Sequence, residues 1–230
     1  MYGLKIILLY VFASTVTLFG ESDKIVINKL DLIGNENISL NEILFIVRQR
    51  PPTFFYRQPE FNARLLKLDA LTLKNYYHSK GFLDVQIQES HKISGSKADI
   101  FFEINEGKRY FLKDLQINGN QTISDEKIGT LLGLTVGEPY NPVGINDNLY
   151  LLENEYYNFG KLFFTVDITD FVKDSVSVTI DIEENQNVYI KDTFFEKIGN
   201  IDSSIILREL TYKTGDLFTK KNTDKTVKHL

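Results

Sequence analysis

Between Ile25 and Ile33, Leu30 and Leu32 alternate with Lys29 and Asp31. A period of two predicts a strand with one buried face. Gly34-Asn35 ends it, because both residues tolerate positive φ. Ser39-Leu40-Asn41-Glu42 has the spacing of a capping box, so a helix over Leu40 to Arg48 is expected, stopped by Pro51-Pro52. Pro59 suits the first turn of a second helix. Within it Leu66, Ala70, Leu73 and Tyr77 share one face, and Gly81 closes it. Leu83, Val85 and Ile87 then alternate with Asp84, Gln86 and Gln88, which predicts a half-buried strand. His91 to Ala98 reads as a polar hairpin loop, and Ile100, Phe102 and Ile104 form the inner face of the next strand, which ends at a Glu106-Gly107 turn.

The same order then recurs. Leu115 and Ile117 precede Gly119-Asn120, and Ser124-Asp125-Glu126 starts a helix whose end Gly133 and Gly137 loosen. Pro142 opens a second helix with Ile145, Leu149, Leu152 and Tyr156 on one face, and Gly160 follows Tyr156 at the interval by which Gly81 follows Tyr77. Phe164, Val166 and Ile168 give one strand; Val176, Val178, Ile180 and Ile182 give another. A third copy is expected from about Val188, with Gly199-Asn200, a helix from Ser203 to Leu210 and Gly215-Asp216-Leu217-Phe218, and the sequence ends inside its second helix. Lys197 falls where Ile117 stands in the second copy, a phase break that a β-bulge would absorb.

The Gly-Asn pairs lie roughly 80 residues apart, the size of a small domain in tandem rather than of a solenoid repeat. The expected fold is therefore α+β: tandem βααββ modules over residues 24–107 and 108–186 and a partial one over 187–230. Each is a three-stranded mixed sheet with two helices on one face. Helices can cover only one face of so small a sheet, so the other should be wet. Phe101 then stands out as an exposed apolar candidate, since its counterpart in the second module is Thr179.

Composition narrows the chemistry. The 230 residues are 43% hydrophobic and 25% charged, an ordinary globular mixture. A net charge of −5 argues against a broad nucleic-acid surface. Cysteine is absent, which excludes disulfides, thiolate metal sites and cysteine nucleophiles. Residues 1–20 hold one lysine, an apolar run and then small or polar residues, the pattern of a secretory signal peptide. No later stretch is long and apolar enough for a spanning helix.

No catalytic constellation emerges. His78, His91 and His229 stand in no metal or nucleophile motif; His78 reads as a solvated residue at a helix end and His91 as a loop residue. Glu103 with Glu106, and Glu183 with Glu184, read as a solvated rim at strand ends. Asp170, Asp174, Glu183 and Glu184 lack calcium-loop spacing. No enzyme activity, metal or cofactor is expected. Tyr77 and Tyr156 read as core residues.

Leu-Gln-Ile-Asn-Gly-Asn at 115–120, Gly-Glu-Pro-Tyr at 137–140, Arg208 to Phe218 and the pairs Tyr77/Gly81 and Tyr156/Gly160 together resemble the polypeptide-transport-associated (POTRA) domains of the BamA-type outer-membrane assembly family. The likeness covers about Lys24 to Leu230. It departs at Arg50 to Tyr56, where the other modules have Gly-Glu/Asp-x-aromatic, and at Lys161, where an aromatic is usual.

The resemblance implies a periplasmic, outer-membrane-associated binding module. Its partners would be unfolded outer-membrane proteins and accessory subunits of an assembly complex, with the membrane reached through a barrel not contained in these residues. It also implies that client segments pair with the second strand of each sheet, an edge: Asp84-Val85-Gln86-Ile87-Gln88 and Thr165-Val166-Asp167-Ile168. Two-partner-secretion transporters use similar modules, and a membrane-anchored structural scaffold is a further alternative.

Overall fold

The computed structural model describes residues 24–53, 59–194 and 203–229. The first unit contains β1 (Val26–Ile33), α1 (Leu40–Ile46), α2 (Ala63–Ser79), β2 (Gln86–Ser94) and β3 (Lys97–Asn105). Its sheet order is β1-β3-β2, with β1 parallel and β2 antiparallel to the central β3. The second unit repeats it with β4 (Leu112–Asn118), α3 (Asp125–Leu132), α4 (Pro142–Asn158), β5 (Thr165–Val172) and β6 (Val176–Glu183), in the order β4-β6-β5. Beyond these lie α5 (Ser203–Glu209) and α6 (Lys220–His229). The α+β class and mixed three-stranded sheets are those the periodicities predict. The signal-peptide segment, Gly199-Asn200 and the bulge expected at Lys197 lie outside the described residues.

Each core is built from the inner face of the central strand and the matching helix faces. In the first unit Ile100, Phe102 and Ile104 meet Leu66, Leu73 and Tyr77; in the second Val178, Ile180 and Ile182 meet Ile145, Leu152 and Tyr156. All are buried, each removing apolar surface worth about 1.5–3 kcal/mol from water.

Gly34 and Gly119 hold equivalent places. Their φ angles are 86° and 80°. A Cβ on either would lie 1.9 Å from the Ile104 carbonyl oxygen or 2.0 Å from that of Ile182. The end of the first strand thus passes directly over the backbone of the central one, which only a residue without a side chain permits.

The loop between the two helices bends back onto the first strand of each module. Ile27 N donates to Pro59 O (2.7 Å) and Phe61 N to Ile25 O (2.8 Å). Leu112 N donates to Glu138 O (2.9 Å) and Tyr140 N to Tyr110 O (3.0 Å). Ile190 N donates to Asp216 O (2.9 Å) and Phe218 N to Val188 O (2.8 Å). Gly-Glu-Pro-Tyr is thus a device that covers the start of an edge strand, β4, and Gly-Asp-Leu-Phe makes the same pair of bonds to Val188 and Ile190 around an isolated bridge at Tyr189. Pro59 belongs to the corresponding device of the first module rather than to the helix expected there: α2 starts at Ala63, capped by Asn62 Oδ1. The first module thus has its counterpart at Pro59-Glu60-Phe61, nine residues beyond the Arg50 at which the departure begins.

The modules are joined by another repeated contact. Tyr110 N donates to Gly81 O (2.8 Å), and Val188 N to Gly160 O (2.9 Å). Tyr110 Oη also donates to Asp84 Oδ2 at 2.6 Å.

Candidate functional site

β2 and β5 are each paired on one side only, with β3 and β6. An antiparallel strand turns alternate residues' N–H and C=O groups toward and away from its neighbour, so half of these groups face outward and can accept another strand. Of the residues singled out from sequence, Gln86, Ile87, Gln88, Thr165, Val166, Asp167 and Ile168 lie on these two edges. Ile87, Val166 and Ile168 are half-buried against the cores, while Gln86, Gln88, Thr165 and Asp167 are exposed.

Asp84 and Val85 do not belong to the edge. They precede β2; Val85 is buried in the core of the first module, and Asp84 accepts the Tyr110 hydroxyl at the joint. Leu83, expected on the inner face of the first sheet, packs instead against the core of the second module. Phe101 is not exposed either: it is half-buried, with Lys29 Nζ 5.3 Å from its ring centre.

The edge is longer than the sequence suggested. β2 runs on to Ser94 and turns only at Gly95-Ser96, because His91 to Ser94 are all exposed and carry no alternation to read. His91 is thus a strand residue, its ring 4.7 Å from that of Phe61. Between α2 and β2 lies a groove of about 310 Å³, bordered by Leu66, Lys67 and Ser90. Phe171 within β5 and Phe163 just before it are each 68% exposed. Phe171 continues the outward phase Thr165, Asp167, Thr169, a period of two that was there to be read.

The carboxylate pairs divide. Glu103 and Glu183 are exposed, as a rim reading expects, but Glu106 and Glu184 are buried. Glu106 accepts Asn37 N (3.0 and 3.1 Å), Asn37 Nδ2 (2.6 Å) and the Tyr77 hydroxyl (3.0 Å). Glu184 accepts Gln121 N and Thr122 N (each 2.7 Å), the Thr122 hydroxyl, and the Tyr156 hydroxyl at 3.4 Å. Lys161 Nζ is 3.8 Å from the same carboxylate, which accounts for a lysine where the first module has Phe82. Burial pushes the Glu184 carboxyl up, but the Thr122 and Gln121 bonds and Lys161 outweigh it and hold it below the ordinary range. Burial, reinforced by the glutamates, raises both tyrosines. These side chains clasp the first loop of a module to the end of its last strand.

His78 is half-buried rather than solvated, and its Nε2 has no hydrogen-bond partner. Burial lowers its pKa, and Lys74 adds to this. Among the described residues no group of three or more histidines and carboxylates could hold a metal ion.

This repeated module, with its pinned first strand and open second edge, defines a polypeptide-transport-associated domain array. Residues 25–107 and 110–185 match the family described as POTRA, surface antigen variable number repeat, and the chain belongs to that family. Its similarity extends to BamA-type assembly factors. The outer membrane protein assembly factor BamA of Buchnera aphidicola is 21% identical over 217 residues, 89% of this chain and 34% of that protein. BamA of Nitratidesulfovibrio vulgaris is 24% identical over 212 residues, 86% of this chain and 26% of that protein. The chain thus spans about a third or less of the length of these relatives. A crystal structure of the third to fifth POTRA domains of Haemophilus influenzae BamA superimposes with a TM-score of 0.60 at 17% identity, covering 89% of this chain and 84% of that one, a likeness of fold.

Proposed function

We propose that this chain is the periplasmic, non-enzymatic binding array of an outer-membrane assembly factor, exported by its N-terminal segment. It captures extended segments of unfolded outer-membrane proteins, or of accessory subunits, by adding them as a fourth strand at β2 or β5. The observation that carries the reading is the pair of one-sided edge strands, each with one face against a closed core and with exposed side chains that are mostly polar, Phe171 and Ile93 being among the exceptions. Strand addition takes its affinity from main-chain hydrogen bonds and little from side chains, which suits a binder of many barrel precursors. The relatives' description as assembly factors supports the same role.

Proline substituted singly at Thr165, Val166, Asp167 and Ile168 tests it. Alternate residues point their N–H toward β6 or toward solvent. Proline at the first kind unfolds the module; at the second it leaves the module folded but removes an outward donor. The folded variants should lose binding of a synthetic peptide with the alternating pattern of a barrel strand. Unchanged titration curves in those variants would rule out β5 as the docking edge.

A further inference from the structure

On the edge opposite β5, the second module carries a groove floored by its first strand. The smaller groove on the same face of the first module, about 280 Å³, is bordered by Asn41, Leu44 and Phe45 of α1 and by Arg50, Pro51 and Thr53, with no residue of β1 lining it. The buried isoleucines Ile43, Ile128 and Ile206 bring α1, α3 and α5 into register. The next position is Leu44 in α1 and Leu207 in α5, but Gly129 in α3. Leu44 packs against its own core. At Gly129 the corresponding side chain is missing, and a groove of about 430 Å³ opens between α3 and β4. That volume lies within the range of about 300–1,000 Å³ typical of binding sites. Leu115 and Ile117 of β4 form its floor with Val136, itself 56% exposed; Asp125 and Glu126 stand on its rim.

A glycine inside a helix weakens it relative to alanine. Space is not the sole reason for it here. A Cβ at Gly129 would meet Leu134 O at 3.3 Å and Leu115 Cδ2 at 3.4 Å, close but attainable with a small shift, whereas a leucine would fill the groove. The β4 edge beside it is free over most of its length, since the Gly137–Tyr140 device bonds only to Tyr110 and Leu112 at its start.

We propose that this groove is a second docking site, on the edge opposite β5. Its occupant is an extended segment of a partner protein that places a bulky apolar side chain over Gly129 and a lysine or arginine beside Asp125 and Glu126. The acidic rim selects a basic segment, and the chain's own net charge of −5 disfavours a second copy as occupant. The inference does not depend on β5 binding clients, because it concerns a different edge and a different charge preference.

The test titrates the whole chain, followed by amide resonances, with two synthetic seven-residue peptides. Both alternate valine and threonine around a central phenylalanine; one ends in lysines, the other in glutamates. Shifts at Leu115, Gly129 and Val136 are expected with the lysine peptide. The glutamate peptide should bind about fivefold or more weakly, the scale of an exposed charge pair doubled by two acids. Glu126→Lys should remove that preference. Gly129→Ala should weaken the lysine peptide about fourfold, the scale of one methyl group's volume lost from the groove, while the chain stays at least as heat-stable as the wild type. A proline in β5 that abolishes binding there should leave the groove shifts unchanged. Equal binding of the two peptides, shifts confined to β5, or concentration-dependent self-association that Glu126→Lys removes would each overturn the proposal.

Discussion

Glu184→Ala strips the acceptor from two backbone N–H groups and the Thr122 and Tyr156 hydroxyls at once. Hydrogen bonds to a charged group contribute about 1.5–3 kcal/mol each. They act here as one network, so the losses do not add, and water can reach the exposed Gln121 backbone once the carboxylate is gone. We expect a net loss of about 3–5 kcal/mol from the second module. A unit of this size shifts its melting temperature by about 4–8 °C per kcal/mol, so the drop should exceed about 12 °C. The chain has no tryptophan, so urea and thermal unfolding are followed by far-ultraviolet circular dichroism, with the near-ultraviolet signal reporting on buried tyrosines, among them Tyr77 in the first module and Tyr140 and Tyr156 in the second. The two modules are fitted as separate transitions. Glu184→Gln keeps one acceptor oxygen but turns an amide toward the donors, and should fall between wild type and alanine. A loss from Glu184→Ala within the ~0.5 kcal/mol of an ordinary surface substitution would refute the clasp as a stabilising network.

The same carboxylate gives a pH dependence. Its folded pKa lies below the ordinary 4.5, so its contribution is fully present above that value and is lost as pH falls through the folded pKa. Acid titration of stability should therefore be steeper below about pH 4.5 in the wild type than in Glu184→Gln; parallel curves would contradict this. Gly119→Ala drives a Cβ against the Ile182 carbonyl and should cost more than about 4 kcal/mol, whereas Gly95→Ala, with open space around it, should cost about 1–2 kcal/mol; equal melting temperatures would deny the close strand crossing. Tyr110→Phe removes the 2.6 Å bond to Asp84, worth about 1 kcal/mol, and should widen the distribution of inter-module distances between spin labels while each module keeps its own transition.

Much of the fold was legible because burial writes a local period. Leu66, Ala70, Leu73 and Tyr77 mark one helix face and Ile100, Phe102 and Ile104 one strand face, and both faces are buried. Gly34 and Gly119 could be placed as strand ends from their neighbours alone. Where neither face is buried the period disappears, and the outer half of β2 reads as a loop. The device at Pro59-Glu60-Phe61 was missed for a related reason: its bonds go to Ile25 and Ile27, across a stretch of variable length.

The amino-acid order by itself determined the repeated unit, its element types and its central core residues, since these depend on contacts that recur every two or every 3.6 residues. Tertiary structure alone decided which carboxylates are buried. Glu106 is held by Asn37, 69 residues earlier, and Glu184 by Thr122, 62 residues earlier, while Glu103 and Glu183 beside them stay in water. It also decided that Asp84 belongs to a joint and that Gly129 leaves a groove. A carboxylate's partner and a missing side chain's neighbours come from other elements folded alongside, and no periodicity within one element encodes them.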